Sequence, residues 1–266
     1  MTPGPEHMKI DGATALLTGA TGGIGHSIAR RLHAEGAQLI LTGRNADVLA
    51  PLSDELGARG IVADLADPAS LDALLAEAGP IDLLVANAAL PGVGLLPDVP
   101  IERVDANLDV NLRAPIMLAR ALLPQMTARR SGHLVFIGSL SGIVASPGTT
   151  LYNATKFGLR GFTDALRQDL HGTGVSASIV EPGFVRDAGM FANSGMDIPR
   201  GTRTVSLEQV AAAVVKAIVK DRGEVLVAPP ELRFGARLGA LFPALNAAIQ
   251  RRAGAADIVG AHTGNH

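Results

Sequence analysis

Tyr152 and Lys156 stand four residues apart in Tyr152-Asn153-Ala154-Thr155-Lys156, a spacing that puts a phenol and an ammonium on one face of a helix. A phenol loses its proton near pH ~10, and a fixed cation beside it favours the phenolate, which would make Tyr152 a proton donor and acceptor closer to neutrality. Tyr152 is the only tyrosine in the 266 residues, and Lys156 is one of a small set with Lys9, Lys216 and Lys220. The same pair also fits an ordinary helix surface, so the elements around it have to decide.

Those elements read from the alternation of short apolar runs with longer amphipathic ones. Strands are expected over 13–17, 38–42, 61–63, 81–85, 133–137, 176–180 and 224–227. Helices are expected after residue 24, over 46–58, over 101–128 as one long helix through Asn111, around Tyr152, and over 207–219. Strands separated by helices imply an α/β fold: a doubly wound parallel sheet of seven strands in a single domain, 1–266. Right-handed crossovers then place the ligand crevice at the strands' carboxyl ends.

Several unusual residues fall at those ends. Thr18-Gly19-Ala20-Thr21-Gly22-Gly23-Ile24-Gly25 lies between the first strand and its helix. Gly19, Gly23 and Gly25 let backbone approach a ligand, and the helix start attracts phosphate, with Thr21 and Ile24 in the same turn. The second strand ends in Gly43-Arg44-Asn45, where an acid would hold a ribose 2′-hydroxyl. That acid is missing and Arg44 suits a 2′-phosphate, so NADP is expected, with NAD possible. Asp64-Leu65 follows the third strand, where the carboxylate is placed to accept from an adenine amino group or to cap the next helix. Asn87 and Ala88 follow the fourth, small enough for a flat ligand; Ser139 follows the fifth, and Pro182-Gly183 the sixth.

Composition excludes other classes. The chain is 47% hydrophobic with 3% aromatic residues, a core of Ala, Val, Leu and Ile that suits buried parallel strands. A formal charge of −2 offers no general field for nucleic acid. With no cysteine there is no disulfide, thiolate nucleophile or Cys-based metal site, and His26, His33, His133 and His171 lack metal-ligand spacing, so no metal is expected. The first ten residues read as a tail without a signal-peptide core, and no uncharged apolar run reaches the ~18 residues of a membrane span. A soluble cytoplasmic protein without a transmembrane segment is the expectation.

Taken together and in order, these motifs resemble the compact single-domain form of the short-chain dehydrogenase/reductase family, over roughly 12–228. The family's Thr-Gly-x-x-x-Gly-x-Gly turn is met by Thr18 to Gly25, its adenine-side Asp by Asp64-Leu65, and its Tyr-x-x-x-Lys by Tyr152 and Lys156. Its active-site asparagine and serine correspond to Asn111 and Ser139, and its nicotinamide-side Pro-Gly to Pro182-Gly183, with Val185 just beyond. Ala86 and Ala89 replace an asparagine and a glycine of the family's Asn-Asn-Ala-Gly, and Asp187 stands where a threonine commonly bonds the carboxamide. The resemblance implies a Rossmann-like fold and hydride transfer between a nicotinamide and a carbonyl or secondary alcohol. It also implies roles: Tyr152 as general acid/base, Ser139 orienting the oxygen, Lys156 binding the ribose and lowering the Tyr152 pKa, and Asn111 relaying protons through water. Homodimers or homotetramers are implied too.

The loops expected to enclose a substrate, 90–97, 140–151 and 184–196, are apolar with few charges, which favours a hydrophobic ketone or alcohol. Beyond residue 228 a C-terminal helical extension, 229–266, carries Phe234, Leu238, Leu241, Leu245 and Ile249 at helical spacing beside Arg233, Arg237, Arg251 and Arg252. Packing on the domain or on a neighbouring subunit is expected of this stripe, with a substrate lid or a membrane-surface role as alternatives. For the chain as a whole the alternatives are a non-catalytic NADP-sensing or scaffold protein, and an isomerase or dehydratase on the same fold.

Overall fold

The computed structural model describes residues 8–186 and 203–252. Asp187 and most of the expected loop 184–196, including Met190, Phe191 and Met196, lie outside the described residues, as do 1–7 and 253–266.

Seven strands, β1 (Thr14–Thr18), β2 (Gln38–Gly43), β3 (Arg59–Val62), β4 (Leu83–Ala86), β5 (Gly132–Ile137), β6 (Val175–Pro182) and β7 (Glu224–Val227), form one all-parallel sheet in the order β3-β2-β1-β4-β5-β6-β7. The doubly wound seven-stranded sheet expected from the sequence is therefore present. Strand order reverses at β1, which pairs with β2 on one side and β4 on the other; such a switch point opens a crevice at the carboxyl ends.

Helices α1 (Gly23–Ala34), α2 (Ala46–Leu56), α3 (Pro68–Ala78), α4 (Ile101–Leu108), α5 (Ala114–Ala128), α6 (Thr150–Asp169), α7 (Leu207–Val219), α8 (Pro230–Leu241) and α9 (Pro243–Arg252) follow in chain order. Alternate strand residues point to opposite faces and feed two cores. Ala15, Leu17, Leu39 and Leu41 pack with buried residues of α1, α2 and α7, while Leu16, Ile40 and Phe136 pack with those of α3, α5 and α6. Ile10, placed in the tail by sequence, is buried in the first of these cores.

The helix ends explain where each loop begins. Asn45 caps α2, accepting from the N–H groups of Asp47 and Val48, and Gly57 ends it in the left-handed conformation. Asp67 caps α3 ahead of Pro68, and Ser206 and Gln209 form a reciprocal capping box on α7.

Two expectations are refined. The long helix expected over 101–128 runs through Asn111 without leaving helical backbone, but it carries a π-helical turn, Asp109–Arg113, between α4 and α5. Pro115 supplies the reason: it has no N–H for the carbonyl of Asn111 four residues back, and its ring crowds a straight α-helix there. The apolar stripe of the C-terminal extension, expected to pack on the domain or on a neighbouring subunit, is not covered by the described residues of its own chain. Ala236 is the buried side of α8, and Phe234, Leu238, Leu241, Leu245 and Ile249 all face outward.

Candidate active site

The crevice is built from bare backbone. β1 ends at Thr18 and turns through Gly19 at φ +64, a left-handed conformation that glycine adopts freely. A Cβ on Gly19 would lie 2.7 Å from the Cα of Ala88, and one on Gly25 would lie 2.2 Å from the carbonyl oxygen of Gly19. Neither position has room for a side chain: Gly19 abuts the backbone that follows β4, and Gly25 abuts the turn that follows β1. Asn87 staples the turn: its Nδ2 donates to the carbonyls of Thr18 (3.1 Å) and Gly19 (3.0 Å). Thr18 Oγ1 answers by accepting from the N–H groups of Asn87 (3.0 Å) and Ala88 (3.1 Å). Gly22 provides no side-chain cap, so the first N–H groups of α1 keep their capacity for an anion.

A cleft of about 320 Å³ opens here, lined by Gly19, Thr21, Gly23, Ile24, Gly25, Arg44, Asp64, Leu65, Asn87, Ala88, Ser139, Tyr152, Lys156, Pro182, Gly183 and Val185. Every site residue expected from the sequence is therefore on its wall except Asn111. Arg44 is exposed at one end and has no hydrogen-bond or ion-pair partner among the described residues. Thr42, also on the wall, has a buried hydroxyl without a partner among the described residues. Asp64 folds its carboxylate over the N–H of Ala66 at 3.0 Å, and the helix cap falls to Asp67.

At the other end β5 delivers Ser139 and α6 delivers the Tyr152/Lys156 pair. Lys156 Nζ donates to the carbonyl of Ile137 at 2.8 Å and stands 5.5 Å from the centroid of the Tyr152 ring. The Ser139 side chain hydrogen-bonds Tyr152 and also accepts from the N–H of Ser141 at 3.1 Å. A phenol, a hydroxyl and an amine thus converge on one wall, beside a glycine cradle shaped for an extended phosphate-bearing ligand.

The sequence pattern described as short chain dehydrogenase matches residues 13–198. The chain belongs to this family, the short-chain dehydrogenases/reductases. A ketoacyl reductase, HetN of a Nostoc species, is 37% identical over 227 residues, covering 82% of this chain and 79% of the relative. The 3-oxoacyl-[acyl-carrier-protein] reductase FabG of Escherichia coli is 35% identical over 184 residues, covering 67% of this chain and 75% of the relative. Among solved structures, a metagenomic short-chain oxidoreductase in complex with NADP superposes with a TM-score of 0.71 at 30% identity, covering 83% of this chain and 98% of that one. The protein is an oxidoreductase of a family that binds nicotinamide cofactors.

In this short-chain dehydrogenase/reductase the electrostatics of the pair differ from the sequence expectation. Burial pushes the Tyr152 phenol up to about 12, and the hydrogen bond from Ser139 only partly opposes it. Burial likewise pulls Lys156 down to about 8. Among the protein's own groups, removal from water therefore outweighs the attraction of the amine for a phenolate, and the expected acidification of Tyr152 is not produced. At neutral pH the phenol carries its proton.

Asn111 is fully buried, and its side chain serves the neighbouring loop. Oδ1 accepts from the N–H of Leu90 (2.7 Å), and Nδ2 donates to the carbonyl of Leu90 (2.9 Å) and to Asn107 Oδ1 (3.0 Å). Lys156 is not among its partners. Asn107 in turn holds the carbonyl of Pro91 at 3.0 Å, so two asparagines fix the segment that edges the cleft.

Sequence reasoning named Thr18 in the turn without a role for its hydroxyl, and it missed the roles of Asn107 and Asn153. Asn153 is buried beside Tyr152 and clamps the loop that follows Ser139: its Nδ2 donates to the carbonyls of Ser141 (2.7 Å) and Val144 (3.2 Å), and its Oδ1 accepts from Ser146 N–H (3.2 Å) and Thr149 Oγ1 (2.6 Å). The signal available was an amide inside the Tyr-x-x-x-Lys run, on a helix face that also turns inward. His133 is a core residue, bonded through Nε2 to Ser178 Oγ at 2.8 Å. Among the described residues no cluster of His, Asp and Glu could hold a metal.

Proposed function

We propose that the protein reduces the carbonyl of a hydrophobic substrate with NADPH, with Tyr152, Lys156, Ser139 and Asn111 as its working residues. The observation that carries this reading is the convergence of the Tyr152 hydroxyl, Ser139 and Lys156 on the wall of a glycine-cradled cleft.

The residues of the cleft fit a dinucleotide. Gly19 and Gly25 leave room for backbone contact, the uncapped start of α1 suits the diphosphate, and Arg44, without a partner among the described residues, suits a 2′-phosphate. Asp64 and Leu65 would border the adenine, Asn87 and Ala88 the middle of the cofactor, and Pro182, Gly183 and Val185 the nicotinamide side. When bound, the nicotinamide supplies a hydride to the carbonyl carbon.

The chain's own residues then handle the oxygen. Tyr152, protonated at neutral pH, donates its proton to the developing alkoxide, a contribution of roughly 10²–10⁴-fold for a placed general acid. Ser139 donates a hydrogen bond to the same oxygen and fixes its direction. Lys156, while charged, holds the cofactor ribose and favours the phenolate left after proton transfer. Because the Asn111 side chain is engaged with Leu90, any relay at this residue runs through its main-chain carbonyl, which Pro115 deprives of its ordinary helical donor.

Leu90 and Pro91 on the cleft wall, and Leu140 against the wall residue Gly183, favour an apolar ketone. A ketoacyl thioester is the second reading, favoured by the names of the two relatives. Copies of the chain would pair through α4–α6, where Leu108 and Phe157 are exposed. Following NADPH absorbance against apolar ketones and ketoacyl thioesters tests the reading. Tight NADPH binding with no consumption across both panels would leave the sensor or scaffold alternative standing in its place.

A further inference from the structure

The C-terminal helices carry a surface that the reaction does not use. Six large apolar side chains on α8, on α9 and at their junction face outward: Phe234, Leu238, Leu241, Phe242, Leu245 and Ile249. Phe234 is 70% exposed and Leu241 74%, values far from those of a partly covered core residue. On α8 the residues 234, 238 and 241 share one face by their spacing, opposite buried Ala236. Isolated exposed apolar residues are unremarkable, but six within sixteen residues on two touching helices mark a contact surface.

Charge identifies what the surface fits. Residues 230–252 hold four arginines, Arg233, Arg237, Arg251 and Arg252, against the single acid Glu231, in a chain whose formal charge is −2. Glu231 itself already faces Arg203 at 3.7 Å. All four arginines are exposed. A second copy meeting this face would bring like charges together, whereas an anionic lipid surface offers a sheet of negative charge over an apolar layer. Among the described residues no helix is long and apolar enough to cross a membrane, so the mode is adsorption at the interface.

We propose that α8 and α9 dock the protein on an anionic lipid surface. The hairpin is fastened to the loop that follows Ser139: Asn246 Nδ2 and Gln250 Nε2 both donate to the carbonyl of Ala145, at 3.3 and 2.8 Å, and Ala236 packs with Ile143 and Leu226. Docking therefore brings the loop that follows Ser139 to within about the thickness of one helix of the bilayer, where an apolar ketone is concentrated. That last consequence depends on the reading of the substrate given above; the docking does not.

Flotation of the full chain with phosphatidylcholine vesicles, and with vesicles containing a third phosphatidylglycerol, tests the proposal without measuring turnover. Binding is expected only to the anionic vesicles, weakening as salt rises. Phe234→Ser combined with Leu241→Ser, which touches no cleft residue, is expected to lower the partition about tenfold or more. NADPH affinity and thermal midpoint, measured in the same preparation, confirm that the variant is folded. Absence of flotation by the unaltered chain overturns the proposal, as does equal flotation by the variant. If the variant instead lowers the molar mass in solution and the unaltered chain ignores vesicles, the face joins copies of the chain and lipid is not its partner.

Discussion

Lys156 donates its ammonium to the carbonyl of Ile137, the last residue of the strand that delivers Ser139. The bond ties α6 to the strand beside it and holds a buried amine whose charge burial disfavours, down to about 8 from the usual 10.5. Lys156 therefore loses its proton well below the pH at which a solvated lysine does.

Ketone reduction is accordingly expected to fall above about pH 8, with the charge on Lys156 and well before Tyr152 ionises near 12. Each further pH unit removes about tenfold of the protonated fraction. A profile of kcat/KM that stays flat to pH 10 would show that the charge on Lys156 is not needed for turnover.

Tyr152→Phe keeps the buried ring and deletes only the hydroxyl. NADPH binding should survive, while turnover drops by about 10²–10⁴-fold, the value of a positioned general acid. Equilibrium titration and single-turnover rates on one preparation separate the two effects. Retained turnover would transfer the proton donor's role elsewhere.

Arg44 is exposed at the cleft's end and has no hydrogen-bond or ion-pair partner among the described residues. A charge-assisted contact to a 2′-phosphate contributes about 1.5–3 kcal/mol, so Arg44→Asp should weaken NADPH by roughly 10–150-fold and improve NADH relative to it. Parallel titrations of both reduced cofactors give the ratio directly, and an unchanged ratio would remove Arg44 from the recognition of the phosphate.

Asn153→Ala breaks four hydrogen bonds that span residues 141–149. Leaving buried partners unsatisfied costs about 1–3 kcal/mol, measurable by urea unfolding. Because the clamped loop begins beside Ser139, kcat should fall more than NADPH affinity does. Equal losses in both would mean that the amide merely stabilises the fold.

The glycine turn and the Tyr152/Lys156 pair were legible in the sequence because their meaning is local: spacing along the chain fixes which atoms share a space. The sheet was legible because parallel strands buried on both faces read as continuous apolar runs. What escaped was set by distant parts of the chain. The direction in which Tyr152 is shifted depends on burial summed over α6, β5 and the loop after Ser139, and no spacing rule reports that sum. The π-helical turn followed from Pro115 acting on Asn111, a clue present in the sequence but outweighed by a helical pattern that runs straight across it. The apolar face of α8 had the expected periodicity, but spacing alone did not say whether it met its own domain; small Ala236 turns inward while the large side chains stay out.

His133 supplies a stability prediction with a definite sign. Burial lowers it to about 4 in the folded chain from 6.5, with Arg167 adding to the shift and Asp221 opposing it. Between those values the unfolded chain binds the proton and the folded one does not, so this group's contribution is lost as pH falls from 6.5 to 4. At 1.36 kcal/mol per unit the loss amounts to about 3 kcal/mol. Glu181, pushed up to about 9 chiefly by burial, acts in the opposite sense, stabilising below its unfolded value and losing that contribution as pH rises through 9. The comparison that isolates His133 is therefore between the natural chain and His133→Gln across one pH series. The advantage of the natural chain at pH 7.5 should shrink by about 3 kcal/mol by pH 4, as the imidazole is forced to take up a proton beside Ser178. A difference that stays constant across the series would mean that the histidine is protonated in the core, sharing its charge with Asp221.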